Sequence, residues 1–309
     1  MKAAVLHDYA TPPRHDEFAV PEATGAHAVV EVAAAGVNHV DLMKATGRFY
    51  TGPPPLPSVV GSDGVGRLPD GRRVYFDSCV APYGAMAEHT LVLRDGLIDV
   101  PDEIDDVVAA ALGNAGLAAW LSLTRRAGLV AGERVLVLGA TGAVGAIAVQ
   151  AAKVLGAGSV VAAGRASARL EALGADATVA LDAEGDVAGA IREAAGGPVD
   201  VTIDLLWGAP ALAAMQAAGH RSRHIQIGQL AGLTIELPAP FVRAAPIDLR
   251  GFAVFHEPIE ARRAGYAELA RHVAAGEISV TVEPLPLSDV ATAWERQRAG
   301  AGAKLVLTP

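Results

Sequence analysis

The stretch Val135–Gly156, VLVLGATGAVGAIAVQAAKVLG, decides how this chain is read. It is nearly uncharged and long enough to cross a bilayer. Its first part, however, is a short β-branched run that stops at a glycine cluster. Its second part has helical character and carries Gln150 and Lys153. Strand, tight turn, helix is therefore the expected structure.

The turn is Gly139-Ala140-Thr141-Gly142-Ala143-Val144-Gly145. Glycines belong here for steric reasons: the backbone must turn sharply, approach a pyrophosphate and let the helix pack on the sheet. The N-terminus of the following helix offers unpaired N–H groups and positive dipole to phosphate. Ala140 occupies the first glycine position of the strict GxGxxG pattern, so the match is loose. The flanking strand and helix and the next strand, VVAAG, supply the context. That second strand ends at Gly164-Arg165, with Arg169 one helical turn further. An NAD-binding domain usually has an acid there for the ribose hydroxyls. An arginine instead can clamp a 2′-phosphate through charge-assisted hydrogen bonds. NADPH is the expected cofactor, with Arg165 and Arg169 both candidates for the phosphate.

Working outward, the first hundred or so residues alternate short apolar runs (KAAVLH, HAVVEVAAAGV, GRRVYF, AEHTLVL) with turn signals such as TGPPPLP and LPDG. This is β-rich. From Pro101 the pattern becomes helical up to Gly128. Strands then alternate with helices, which implies a parallel sheet with helices on both faces. The tail holds a helix around IEARRAGYAELARHVAAG and then returns to extended character.

The 309 residues, 51% of them hydrophobic, suffice for a large core. A net charge of −9 argues against nucleic acid. No membrane partner is expected, and MKAAVLHDYATPP lacks a signal-peptide core. Cys79 is the single cysteine, which fits a reducing, cytoplasmic compartment.

Several segments, in order, resemble the medium-chain dehydrogenase/reductase superfamily, in particular its zinc-independent quinone oxidoreductase branch. AAAGVNHVDLMKATG is similar to the family's ALNPVD segment, LPSVVGSDGVGRL to LPxxxGxEGaGxV, and YGAMAEHTLV to GGYAEY. AAALGNAGLAAWLSL is similar to AAALPxxGLTAW, and GQLAG and the closing PLSDVATAWERQRAGAGAKLVLTP resemble the family's ending. The resemblance implies an α/β protein of two domains. A GroES-like, β-rich catalytic domain would comprise residues 1–112 and 246–309, and a Rossmann domain with a doubly wound parallel sheet residues 113–245. It implies a homodimer, a small-molecule quinone or enone as substrate, and hydride transfer from NADPH. The cofactor set would include Ala140, Thr141, Gly142, Ala143, Val144, Gly145, Gly164, Arg165, Arg169, Gly228, Phe255 and Lys304.

The same resemblance frames the question of metal. Zinc-dependent relatives carry a cysteine where this chain has Asn38, and a GHE triplet where it has Gly61-Ser62-Asp63. Neither Asn38 nor Ser62 is a good zinc ligand. Read as an extended segment, His39 and Asp41 share one face and Asn38 takes the other. His220 and His224, spaced i,i+4, are expected at a turn entering a strand. No metal is expected. By resemblance Asn38 would donate to the acceptor oxygen or orient the nicotinamide amide; alternatively it holds its loop. Asp41 would hold the Asn38 loop in place. Tyr50, with Phe49 an equal candidate, would line the substrate cleft and could donate a proton. Alternative functions are an enoyl reductase or tailoring enzyme of a biosynthetic pathway, and an NADPH-binding sensor or structural protein without turnover.

Overall fold

The computed structural model describes every residue except Ala166, Ala183 and Ala245. The chain folds as two compact units. One comprises Met1–Ala115, Pro258–Ala274 and Val280–Pro309, the other Gly116–Glu257 and Ala275–Ser279.

The second unit is built on a six-stranded sheet whose strands all run parallel. In spatial order these are Ala177–Ala180, Ser159–Gly164, Arg134–Leu138, Val199–Asp204, Ala218–Gln226 and Asp248–Gly251. By chain position this is the 3-2-1-4-5-6 order of a dinucleotide fold, with its switch point between Arg134–Leu138 and Val199–Asp204. The central strands are buried on both faces, which is why RVLVL and SVVAAG read as continuous apolar runs. Val135–Gly156 resolves into a strand, a turn and the helix Ala143–Val154. The sheet continues past the expected limit of the Rossmann domain, because Asp248–Gly251 pairs with Ala218–Gln226. Ala245, where that limit was expected, lies outside the described residues.

The first unit is β-rich. A seven-stranded sheet contains Val282–Pro286, Lys304–Thr308, His27–Gly36, Gly64–Arg67, Arg73–Phe76 and Ile98–Asp99, with His89–Leu93 also paired to His27–Gly36. A three-stranded sheet holds Arg14–Glu17, Lys2–Leu6 and Ser58–Val59. Between them a core of Leu6, Val30, Val74, Phe76, Met86, Leu305 and Leu307 is fully excluded from solvent, and the helix Val290–Ala299 closes it with Trp294. Gly66 faces the backbone of Glu31 so closely that an added Cβ would lie 2.2 Å from its carbonyl oxygen. Only glycine lets these two antiparallel strands approach so closely at that point, beside the register shift between Val32 and Ala34.

A long helical stretch, Asp106–Ala127, follows. It kinks at Gly113 and ends at Gly128, whose left-handed backbone (φ 61°) caps it. Its most apolar window is long enough for a membrane, and 78% of that window is buried within the protein.

Candidate functional site

The glycine turn is held from below by strand backbone. The amides of Gly139 and Ala140 both donate to the carbonyl of Ala163, at 2.9 and 3.1 Å. Gly139 adopts φ 78°, a left-handed conformation that suits glycine. At Gly145 an added Cβ would sit 2.4 Å from the Gly139 carbonyl oxygen and 2.6 Å from Ala140 Cα. The helix therefore rides directly on the turn, and Gly145 is what permits it. Ala140, the departure from the strict pattern, is fully buried, and its methyl is accommodated. Gly142 starts the helix with extended φ and no side-chain cap. The first-turn amides, including those of Ala143 and Val144, are thus left for a ligand, and the dipole there favours an anion.

Gly164 closes the second strand beside this turn, with Thr141 nearest to it after Leu170. Arg165 and Arg169 are both exposed. Ser167, the N-cap of the short helix Ala168–Glu171, accepts from the amide of Leu170 at 3.2 Å. Gly228 packs against Leu205, where a Cβ would lie 2.4 Å from the carbonyl oxygen. Phe255 is 43% exposed. The turn, its free amides and the two arginines suit a dinucleotide that carries an extra phosphate.

A second polar cluster lies within the first unit and is almost sealed from water. The segment from His39 is helical rather than extended: Asn38 is the N-cap of the helix His39–Ala45, and Asp41 is its third residue. Capping reverses the expected arrangement. The Asp41 carboxylate turns back to accept from both the backbone N–H and the side-chain amide of Asn38, at 2.8 and 3.1 Å. The Asn38 amide also donates to Asp63 Oδ1 at 2.7 Å and to the Gly36 carbonyl at 3.2 Å. Its Oδ1 accepts from the Lys304 ammonium, which also bonds the Val37 carbonyl at 2.9 Å. Both ends of the Asn38 carboxamide are consequently used inside the protein.

Asp63 is wholly buried. It accepts from Asn38, from the Asn114 backbone at 2.9 Å and from the Tyr75 hydroxyl at 3.3 Å. Burial raises its pKa to about 6, against the pull of the Lys304 charge; Asp41 raises it further. Burial also lowers Lys304, while Asp63 and Asp41 oppose that shift. His39 is lowered mainly by burial and then by Lys304. Asp41 Oδ1 accepts from Ser62 Oγ at 2.5 Å, and Ser62 in turn accepts from Lys44 at 3.0 Å.

The structure thus gathers Asn38, Asp41 and Lys304, the last placed among the cofactor contacts by resemblance. It adds Asp63, Ser62, Lys44 and Tyr75, which the sequence reading did not assign. In the sequence Ser62 and Asp63 stand out only through their place at the GHE triplet of zinc-dependent relatives, which gives Asp63 no role of its own. Tyr50 is 67% exposed, its ring packed on Phe49 with centroids 4.2 Å apart. Cys79 is a poor nucleophile, because burial pushes its thiol up to about 12. His220 and His224 both lie within the strand Ala218–Gln226 rather than at a turn before it; His224 is buried against Asp204, 2.8 Å away.

Among the described residues no group of three or more His, Cys, Asp or Glu side chains is placed to hold a metal ion. The donor set at Asn38 does not suit zinc either: the carboxamide oxygen is occupied by an ammonium, and that cation would repel another.

The family model described as zinc-binding dehydrogenase matches residues 143–272. A phenolphthiocerol/phthiocerol polyketide synthase polypeptide of Mycobacterium tuberculosis is 31% identical over 97% of this chain, which spans 14% of that polypeptide's length. A mycobacterial quinone oxidoreductase superposes with a TM-score of 0.87 at 25% identity, covering 100% of both chains. A mycobacterial protein solved in complex with NADPH superposes at 0.88 and 26% identity, again over the full length of both. With this fold and this glycine turn, the chain belongs to the medium-chain dehydrogenase/reductase superfamily and is quinone oxidoreductase-like.

Proposed function

We propose that this chain is an NADPH-dependent reductase that transfers hydride to a quinone or an α,β-unsaturated carbonyl without a metal. One observation carries the reading: a glycine turn that opens a helix without a side-chain cap lies beside a second strand that closes at Gly164, and Arg165 follows it where an acid would select NADH. The first-turn amides of Ala143–Val154 would hold the pyrophosphate, and Arg165 with Arg169 the 2′-phosphate. NADPH, when bound, supplies the hydride. The mycobacterial relative solved with NADPH supports this choice of cofactor.

The buried cluster supports the metal-free part. Lys304 and Lys44 bring positive charge to the region around Asn38 and Ser62, the positions that resemble the zinc ligands of other family members. Asn38 acts as a positioning residue, since its hydrogen-bonding capacity is spent on Asp63, Asp41 and Lys304. A second reading, an enoyl reductase of a biosynthetic pathway, is favoured by the match to a polyketide synthase across nearly the whole chain.

Fluorescence titration of NADPH and NADH into the wild type, Arg165→Asp and Arg169→Asp tests the cofactor assignment. The wild type should prefer NADPH, and at least one variant should lose about tenfold or more in NADPH affinity with NADH little changed. Equal affinities for the two cofactors in the wild type would overturn it.

A further inference from the structure

Beside the buried cluster, and wholly within the first unit, lies a cavity of about 150 Å³. Its walls are apolar, from Leu6, Pro54, Pro55, Val59 and Pro82. Its polar lining includes Asp41, Asp77, Ser62 and Lys44. Asp41 is committed to Ser62 and Asn38, and Asp77 is paired with Arg262. Lys44 differs. An ammonium carries three donors, and Ser62 Oγ takes one of them at 3.0 Å. Ser62 donates its own hydrogen to Asp41, so toward Lys44 it acts as an acceptor, which fixes the ammonium at the cavity wall. The Phe49 ring, 6.0 Å from Lys44 Nζ, flanks it.

We propose that this cavity seats the head of the acceptor, a single conjugated carbonyl ring of benzoquinone or cyclohexenone size, with its oxygen on the Lys44 ammonium. The inference rests on the reductase reading. A cavity of roughly 150 Å³ has the volume for one benzene-sized ring, so bicyclic acceptors are disfavoured. As negative charge gathers on the acceptor oxygen, a fixed cation in a partly desolvated setting stabilises it more than water would. Asp41 and Ser62 hold that cation in position, and it serves where the donor set rejects a metal.

The test uses 4-nitrophenolate, an unreactive ring oxyanion whose absorbance reports binding. It is titrated into the wild type, Lys44→Met and Pro55→Trp, with thermal unfolding and NADPH titration run on each. Wild-type binding should weaken about tenfold or more in Lys44→Met, and should weaken also in Pro55→Trp, which crowds the exposed rim without touching Lys44. A bicyclic naphtholate should bind the wild type more weakly. Unchanged phenolate affinity in a folded Lys44→Met protein would overturn the assignment. Should that variant not fold, unchanged affinity in Pro55→Trp would do so. Phenolate binding in a wild-type protein that binds no NADPH would remove the reductase reading and leave the anion site standing.

Discussion

Lys304, in the last strand of the chain, donates its ammonium to Oδ1 of Asn38, the N-cap of the helix His39–Ala45. This bond ties two segments of the first unit that lie 266 residues apart in the sequence. Lys304 is 3% exposed and Asn38 6% exposed, so neither can turn to water for a replacement partner.

Removing Lys304 should therefore cost far more than one hydrogen bond. Lys304→Met would leave the Asn38 oxygen unpaired and the buried Asp63 and Asp41 without the cation that faces them. Loss of one partner from such a buried arrangement costs about 3–5 kcal/mol. Urea unfolding measures it, and a change below about 1 kcal/mol would mean that Lys304 is not the balancing charge.

Asp63 should give the protein a distinctive pH dependence. Its carboxyl titrates near 3.8 in the unfolded chain and at about 6 when folded. Between those values the native state binds more protons than the unfolded state, so stability falls as pH rises through the window. A shift of about two units corresponds to about 3 kcal/mol. Asp63→Asn removes the titration, so the difference in unfolding free energy between the two proteins should move in favour of the variant from pH 4 to pH 6.5. A flat difference would place the ionisation elsewhere.

The glycine turn makes a steric prediction that separates two neighbours. Gly145→Ala forces a methyl to 2.4 Å from the Gly139 carbonyl oxygen, whereas at Gly142 the nearest atom is 3.5 Å away. Overpacking of this kind costs about 1–3 kcal/mol. Gly145→Ala should lower the melting temperature and weaken NADPH binding, and Gly142→Ala should leave the melting temperature nearly unchanged. Equal effects on melting would mean that the helix does not rest on the turn at Gly145.

What the sequence conveyed follows the range of the forces involved. Gly139–Gly145 was readable because its constraint is local and steric, and Gly128 because a helix end needs a left-handed residue. In the sequence Asp41 pairs with the Asn38 loop, but an extended segment would put the two side chains on opposite faces. Asn-His-Val-Asp is a capping pattern, and its helical reading brings the carboxylate back to the cap instead of onto the opposite face. Asp63 and Lys304 had no local signal that joins them: their proximity depends on the strand pairing of Lys304–Thr308 and Gly64–Arg67 with His27–Gly36. The sixth parallel strand, Asp248–Gly251, is short and mostly exposed, so it carries no apolar run to announce it.

The most direct test of the account is NADPH oxidation by purified, chelator-treated protein with benzoquinone and cyclohexenone as acceptors, and with NADH in parallel. The account predicts turnover that survives metal removal and is faster with NADPH. Activity that disappears on chelation and returns only with zinc, or the absence of turnover with every acceptor despite tight NADPH binding, would contradict it.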